Sequence, residues 1–310
     1  MEIGKAGRRD LAREIERLKR ERGATILVHN YQPPEIQAIA DMLGDSFDLS
    51  RRAATTDAEL IVFCGVHFMA ESAAVLAPEK TVLLPRPDAG CPMADMATAP
   101  ALRDLKRRHP RAAVVCYVNS SADVKAESDV CCTSANAVQV VNSMAEDELL
   151  FVPDRNLALY AQRFTSKRIV PWNGYCPIHH RFTADELRAA REAHPGAVVV
   201  VHPECTPDVI DLADEVLSTS GMIRFAAEAP VREIIVGTEE GMLQRLRREF
   251  PDKEFILPSD CLLCVNMKKI GLEDVVASLR SVQPVISVPE EIASGARRAL
   301  ERMLTVPRNI

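Results

Sequence analysis

Three cysteines, Cys91, Cys176 and Cys264, each stand a few residues beyond a short apolar run ending in proline: TVLLP at 81–85, RIVP at 168–171 and FILP at 255–258. Thiolates are ligands for zinc, copper(I) or iron-sulfur clusters rather than hard cations. A structural zinc site draws four ligands from closely spaced pairs, and a ferredoxin-type cluster takes its cysteines from one tight local run. Neither pattern is present. Three single thiolates on a four-iron cluster would leave one iron without a protein ligand, free to act as a Lewis acid on a substrate oxygen. A three-ligand zinc site and three buried cysteines are the alternatives that spacing leaves open. A second set of residues could move or hold protons: His29 and Tyr31 in HNYQ, Tyr117 and Asn119 in CYVN, and His202 and Glu204 in HPE. Histidine, tyrosine and glutamate are the side chains suited to general acid-base work.

Both sets recur at matching points of an internal repeat. Ala24–Val28 leads into His29, Ala112–Cys116 into Tyr117 and Ala197–Val201 into His202. Each is a continuous apolar, largely β-branched run of the kind expected for a parallel strand buried on both faces, and each ends in polar residues. A helix start follows each time, at Pro33-Pro34-Glu35, Ser121-Ala122-Asp123 and Thr206-Pro207-Asp208, with the proline and hydroxyl chemistry of helix N-termini. Seventeen residues past each strand end a hydroxyl, Ser46, Ser134 or Thr219, opens a second helical segment. One more strand is predicted at 59–63, 148–152 and 233–236, then the run that ends in proline. From His29 to Cys91, Tyr117 to Cys176 and His202 to Cys264 the distances are 62, 59 and 62 residues.

Alternating strands and helices predict an α/β protein of three homologous doubly wound αβα units with parallel sheets, in pseudo-threefold arrangement around a central cavity. The expected segments are 1–95 with an N-terminal helix, 96–180, 181–265, and a C-terminal helical segment over 266–310 that packs back on the first unit. Ligands of such sheets collect outside the carboxyl ends of the strands, where the three cysteines could converge. Ser46, Ser134, Ser218 and Thr219 precede helices, whose free N–H groups attract anions; ordinary capping is the bland reading of the same residues.

The 310 residues, 47% hydrophobic and 26% charged with a net charge of -6, are enough for several cores. They hold no basic run of the kind nucleic-acid binding needs. The first 28 residues combine Arg8, Arg9, Arg13, Arg17, Lys19, Arg20 and Arg22 with Leu11, Ile15 and Leu18 at helical spacing, which predicts an amphipathic helix on the first unit, not a secretory signal. No stretch reaches the roughly 20 apolar residues of a membrane span, so neither nucleic acid nor membrane is an expected partner and the cytoplasm is the expected location. Nine cysteines, an odd number, do not suit a disulfide framework. Cys64, Cys116, Cys131, Cys132 and Cys205 read as small buried apolar residues. His67, His109, His180 and His194 read as ordinary local histidines, and His179, three residues past Cys176, is left open.

The strings HNYQPPEIQAIADMLGDS, CYVNSSADVKAESDVCCTSANA, WNGYCPIHHRF, HPECTPDVIDLADEVLSTS and CVNMKKIGLEDV resemble the quinolinate synthase family, over nearly the whole chain from about Ile26. The resemblance implies an enzyme of NAD biosynthesis: three units in pseudo-threefold array, a [4Fe-4S] cluster on three cysteines, and a functional link to aspartate oxidase. The implied reaction condenses iminoaspartate with dihydroxyacetone phosphate, losing phosphate and water, to give quinolinate. Cys91, Cys176 and Cys264 match the family's cluster ligands. Cys261, in Cys261-x-x-Cys264, is ambiguous, because some relatives carry a longer run whose last cysteine is the ligand; here that next position is Met267, and the VNMK context favours Cys264. By the same resemblance Tyr31 and Glu204, with His202, are expected in proton transfer, and His29, Tyr117 and Asn119 in orienting substrate oxygens. Ser46, Ser134, Ser218 and Thr219 would receive the carboxylates and phosphate. Two rivals share the cysteines: another [4Fe-4S] hydro-lyase, acting on a hydroxy acid, and a non-catalytic cluster-based sensor.

Overall fold

The computed structural model describes residues 5–308; residues 1–4 and 309–310 of the expected first and last segments lie outside the described residues. Three four-stranded sheets account for all the strands described. The first holds β1 (Ala24–His29), β2 (Met42–Gly44), β3 (Leu60–Cys64) and β4 (Thr81–Leu83). The second holds β5 (Ala113–Tyr117), β6 (Val130–Cys132), β7 (Glu148–Val152) and β8 (Arg168–Pro171). The third holds β9 (Val198–Val201), β10 (Glu215–Val216), β11 (Glu233–Gly237) and β12 (Glu254–Ile256). Every neighbouring pair is parallel. The order is the same three times, β2-β1-β3-β4, β6-β5-β7-β8 and β10-β9-β11-β12. In each, the connections leave the first strand in opposite directions, so its carboxyl end and that of the third strand flank the crevice where such sheets bind ligands.

Every residue of β3 and β5 is buried, as expected where helices cover both faces. Each unit has one strand more than the three its sequence predicts. The helix expected to run on from Pro34 ends at Gln37, that from Ala122 at Ala126 and that from Pro207 at Ile210. The chain then turns into β2, β6 or β10, edge strands of two or three residues paired on one side only. Strands this short carry no periodicity to read.

What ends those helices is an aspartate at one repeated offset. Asp41, Asp129 and Asp214 each give the backbone N–H to a carbonyl of the first strand, at Ile26, Val114 and Val199. Each carboxylate takes the N–H of that same residue, at 2.8, 2.7 and 2.8 Å. The side chain thus completes a strand whose partner has not yet begun. Asp129→Ala leaves the Val114 N–H without its acceptor and is expected to cost about 1–2 kcal/mol, read as a lower urea midpoint; Asp129→Asn, which keeps an oxygen, is expected to lose less.

Helix Lys5–Arg22 buries Ile15 and Leu18 against β1 and the helix Leu272–Ser281. Helix Glu290–Thr305 lies across helix Ala122–Ala126 and β6 of the second unit and helix His67–Leu76 of the first. One apolar core therefore runs through the first two units and the C-terminal helices. The third unit keeps two apolar clusters of its own, one on each face of its sheet. It meets the first unit through Tyr31, packed on one of those clusters, and through polar contacts from Arg245 to Asn30 Oδ1 at 2.6 Å and from Gln37 to the Gly241 carbonyl at 3.0 Å, while Lys268 of the C-terminal segment reaches the Tyr31 carbonyl at 2.6 Å. Among the described residues no helix is long and apolar enough to cross a membrane.

Candidate functional site

The strand ends of all three units open on one cavity of about 190 Å³, room for roughly a dozen waters and hence for small metabolites. His29, Tyr31, Tyr117, Asn119, His202 and Glu204 line it, together with Cys91, Cys176 and Cys264. The turn beyond each first strand is built alike. The His29 carbonyl accepts the Gln32 N–H at 3.0 Å and the His202 carbonyl the Cys205 N–H at 3.0 Å; in the second unit the Ser120 hydroxyl reaches the Tyr117 carbonyl at 3.0 Å instead. This turn also fixes the two imidazoles. His29 Nδ1 accepts the Tyr31 N–H at 3.2 Å, and His202 Nδ1 accepts the Glu204 N–H at 3.3 Å. With Nδ1 an acceptor, the neutral ring carries its proton on Nε2, and His202 Nε2 lies 3.2 Å from Ser134 Oγ. Burial, only partly opposed by Glu204, holds both rings down at about 3, so both are neutral at physiological pH.

Glu204, 3% exposed, is the charged centre. Its Oε1 accepts the Tyr117 hydroxyl at 2.6 Å; its Oε2 lies 2.6 Å from His179 Nδ1 and 3.6 Å from His202 Nδ1. Burial pushes the carboxyl up, but the adjoining His179 and the hydrogen bonds of His179 and Tyr117 outweigh it and hold the carboxyl low. Burial and the Glu204 charge raise Tyr117 and Tyr31 well above the ordinary phenol value. Both phenols therefore keep their protons beside a carboxylate. His179, left open in the sequence, is buried at 1% and also reaches Cys176 Sγ at 3.2 Å and Thr238 Oγ1 at 2.9 Å. Its one signal was the spacing from Cys176. Thr238 and Glu239, at the end of β11, gave none.

The hydroxyls divide. Ser46, Ser134 and Thr219 line the cavity and Ser218 does not; Ser218 caps helix Thr219–Glu228 through the Gly221 N–H at 3.3 Å. Ser46 is the first residue of helix Ser46–Thr55, whose cap is Asp45, accepting the Asp48 N–H at 2.8 Å. Thr219 Oγ1 takes the Asn30 side chain at 2.9 Å. Asn119 Oδ1 is buried with no hydrogen-bond partner, an acceptor that a substrate N–H or O–H would satisfy. His67, His109, His180 and His194 lie outside the cavity, in local pairs with Glu71, Glu148, Arg155 and Glu233.

Each of the three cysteines begins a helical turn: Cys91 precedes Ala94–Met96, Cys176 caps Pro177–Arg181 and Cys264 caps Val265–Lys268. The backbone N–H groups of Met93 and Ala94 pull the Cys91 thiol down, that of His179 pulls Cys176 down, and those of Met267 and Asn266 pull Cys264 down. Burial nonetheless raises all three thiols, Cys91 to about 12, and the charge of Cys264 adds to the rise at Cys91 as that of Cys91 does at Cys176. Three thiols facing one buried cavity, which would bind a metal as thiolates, are the donor set of a soft metal centre. A second set, Cys176, His179 and Glu204, places its ligand atoms within 4.8 Å of one another. Cys261 packs in an apolar cluster of the third unit and does not line the cavity. Cys64, Cys116, Cys131, Cys132 and Cys205 are buried, as expected.

Two contacts set the cysteine loops. Glu239, buried at 1%, accepts the Cys264 N–H at 3.0 Å and the Gly241 N–H at 2.8 Å and pairs with Lys268 at 2.8 Å. Gly174 lets the chain reach Cys176: a Cβ there would stand 2.5 Å from the Pro153 carbonyl. Gly241 has the same property toward the site itself, since a Cβ would stand 2.7 Å from the Tyr31 carbonyl oxygen. Gly241→Ala is expected to push Tyr31 out of register and lower turnover by up to about 10²-fold, with an unchanged circular-dichroism spectrum as the control for folding.

Three α/β units that bring thiols, imidazoles, phenols and carboxylates to a common cavity define a site suited to acid-base chemistry beside a metal centre. A profile of the family described as "Quinolinate synthetase A protein" matches residues 13–305. The chain is 59% identical over 296 residues to a quinolinate synthase of Methanoregula boonei, 96% of this chain and 98% of that protein. It is 57% identical over 300 residues to one of Geotalea uraniireducens (97% and 99%) and 57% over 296 to one of Dehalococcoides mccartyi (96% and 98%). The chain belongs to the quinolinate synthase family, whose members are enzymes of NAD biosynthesis using a metal cofactor.

Proposed function

We propose that the protein makes quinolinate by condensing iminoaspartate with dihydroxyacetone phosphate, with loss of phosphate and water, using a [4Fe-4S] cluster held by Cys91, Cys176 and Cys264. The observation that carries this reading is the convergence of three equivalent strand ends and three equivalent cysteines on one cavity. A cluster on three thiolates supplies Lewis-acid chemistry at the iron that no protein side chain holds. The chain's own residues do the rest. Closing a pyridine ring from an imine and a triose requires enolisation, carbon-carbon bond formation, imine exchange and dehydration, each with a proton to be moved. Glu204, ionised and accepting a hydrogen bond from Tyr117, is the carboxylate best placed to take one; Tyr31 and His202, which line the same cavity, complete the proton-transfer set. His29 and His202 present Nε2–H groups to substrate oxygens, and Asn119 Oδ1 accepts from a substrate donor. Ser46, Ser134 and Thr219 at the cavity wall, with Ser218 behind Thr219, would receive two carboxylates and a phosphate near helix N-termini.

Reaction in the cytoplasm, with the imine supplied by an aspartate oxidase, fits this scheme. The test is anaerobic incubation of the iron-loaded protein with dihydroxyacetone phosphate and enzymatically generated iminoaspartate. Chromatographic appearance of quinolinate is expected. Turnover of a hydroxy acid instead would favour the hydro-lyase, and a loaded protein that binds neither substrate would favour the sensor; either overturns the proposal.

A further inference from the structure

Asp45 sets a carboxylate, 6% exposed, on the wall of the cavity directly before Ser46. The other two carboxylates of that wall are engaged, Glu204 by Tyr117 and His179 and Glu239 by Lys268. An unopposed charge beside Ser46 would repel the very anions that a serine and a helix N-terminus attract, and where water is excluded such repulsion is strong. The opposing charge comes from beyond helix Glu290–Thr305. Arg308 Nη2 donates to Asp48 Oδ1 at 2.8 Å, its Nη1 lies 3.7 Å from Asp45 Oδ2, and its guanidinium stands 4.8 Å from the centre of the Phe47 ring. Ser220 of the third unit donates its hydroxyl to the same Asp45 oxygen. The backbone before Arg308 is pinned in turn. Asn136, fully buried in the loop after β6, gives its side-chain NH₂ to the carbonyls of Met303 at 3.4 Å and Val306 at 3.5 Å, while its Oδ1 accepts the Thr133 N–H at 2.8 Å. Thr133 and Ser134 line the cavity, so one stretch, 303–308, touches the hydroxyl-bearing loops of both the first and the second unit.

We infer that Arg308 is a positioning residue for anion recognition: it offsets the charge of Asp45 on the cavity wall, so that Ser46 and the first turn of its helix can receive an anionic group of the substrate. This deepens the reading of Ser46 as an anion-binding hydroxyl and rests on it. Arg308 itself does not line the cavity; it acts through Asp45. Its role is electrostatic, and this separates it from a latch that merely ties the chain down. A latch would be needed whatever residue stands at position 45, whereas a counter-charge is needed only while that residue is a carboxylate.

The experiment is a double-mutant cycle on the iron-loaded enzyme: Arg308→Gln, Asp45→Asn and the two combined, with KM for dihydroxyacetone phosphate and for iminoaspartate measured separately. Asparagine caps a helix as well as aspartate does, and the Ser220 hydroxyl can turn to accept from its amide, so the loop keeps its shape. With Asp45 in place, Arg308→Gln is expected to raise KM for one substrate about 10- to 100-fold while kcat stays within about threefold, the pattern of lost binding. In the Asp45→Asn background the same change is expected to move that KM by less than about threefold. The substrate that responds identifies the group Ser46 receives, a carboxylate or the phosphate. Parental KM values in Arg308→Gln would overturn the inference. So would an equal loss in both backgrounds, which would make Arg308 a latch alone. If the parent makes no quinolinate at all, the functional reading fails, while calorimetric titration of the same four proteins with dihydroxyacetone phosphate and with succinate still decides the role of Arg308 by the same comparison.

Discussion

Glu204→Gln is expected to lower quinolinate formation by about 10²–10⁴-fold in a protein that folds and loads iron like its parent. The substitution is nearly isosteric, so the cavity keeps its shape. What changes is the hydrogen-bond roles around a buried group. The carboxylate now accepts Tyr117 at 2.6 Å and faces His179 Nδ1 at 2.6 Å. An amide can keep an oxygen toward only one of them. If the oxygen stays with Tyr117, an NH₂ group confronts the Nδ1–H of His179, donor against donor; if it turns to His179, Tyr117 loses its acceptor. Either arrangement leaves buried polar groups unpaired and removes the negative charge that could receive a proton. Steady-state kinetics with equal iron content in both proteins is the check. A glutamine variant within tenfold of the parent in kcat would show that Glu204 serves binding or structure and that another group carries the proton.

The second large effect concerns the cysteines. Cys91→Ala, Cys176→Ala and Cys264→Ala are each expected to abolish the brown colour, the roughly four irons per chain of an intact [4Fe-4S] cluster, and activity with it. Cys261→Ala is expected to keep all three. The physical basis is where the thiols lie: three line the common cavity, whereas Cys261 is packed among apolar side chains of the third unit. Anaerobic iron and sulfide analysis beside visible absorption decides it. Full loading without Cys264 would overturn the ligand assignment, and iron held in a protein lacking Cys91 would direct attention to the Cys176–His179–Glu204 set.

Much of the architecture was legible before any coordinates. The long inner strands announce themselves, because a strand buried on both faces must be apolar throughout, and β1, β3, β5 and β7 are nearly so. The edge strands β2, β6 and β10 do not, since two or three residues paired on one side need no distinctive composition. The aspartates that end the preceding helices stand at one repeated offset in all three units, but an aspartate in a polar stretch has too many ordinary explanations to be singled out. The hydroxyls show the same limit from the other side. Seventeen-residue spacing placed Ser46, Ser134 and Thr219 in equivalent positions, yet the actual cap of the first helix is Asp45, and Ser218 rather than Thr219 caps the third.

His179 and Thr238 mark the boundary most sharply. Neither takes part in the threefold pattern, because each works across units: His179 joins the loop of Cys176 to Glu204, and Thr238 joins β11 to Tyr31 of the first unit. Sequence alone determined the repeat, the inner strands, the three cysteines and the polar strand ends, since each is dictated by local composition and regular spacing along one chain. Tertiary structure alone decided which groups stand within 3 Å of one another, which imidazole nitrogen bears a proton, and which hydroxyls reach the cavity. Those depend on contacts between residues tens to hundreds of positions apart, and on the low dielectric that burial creates around them, which no local pattern encodes.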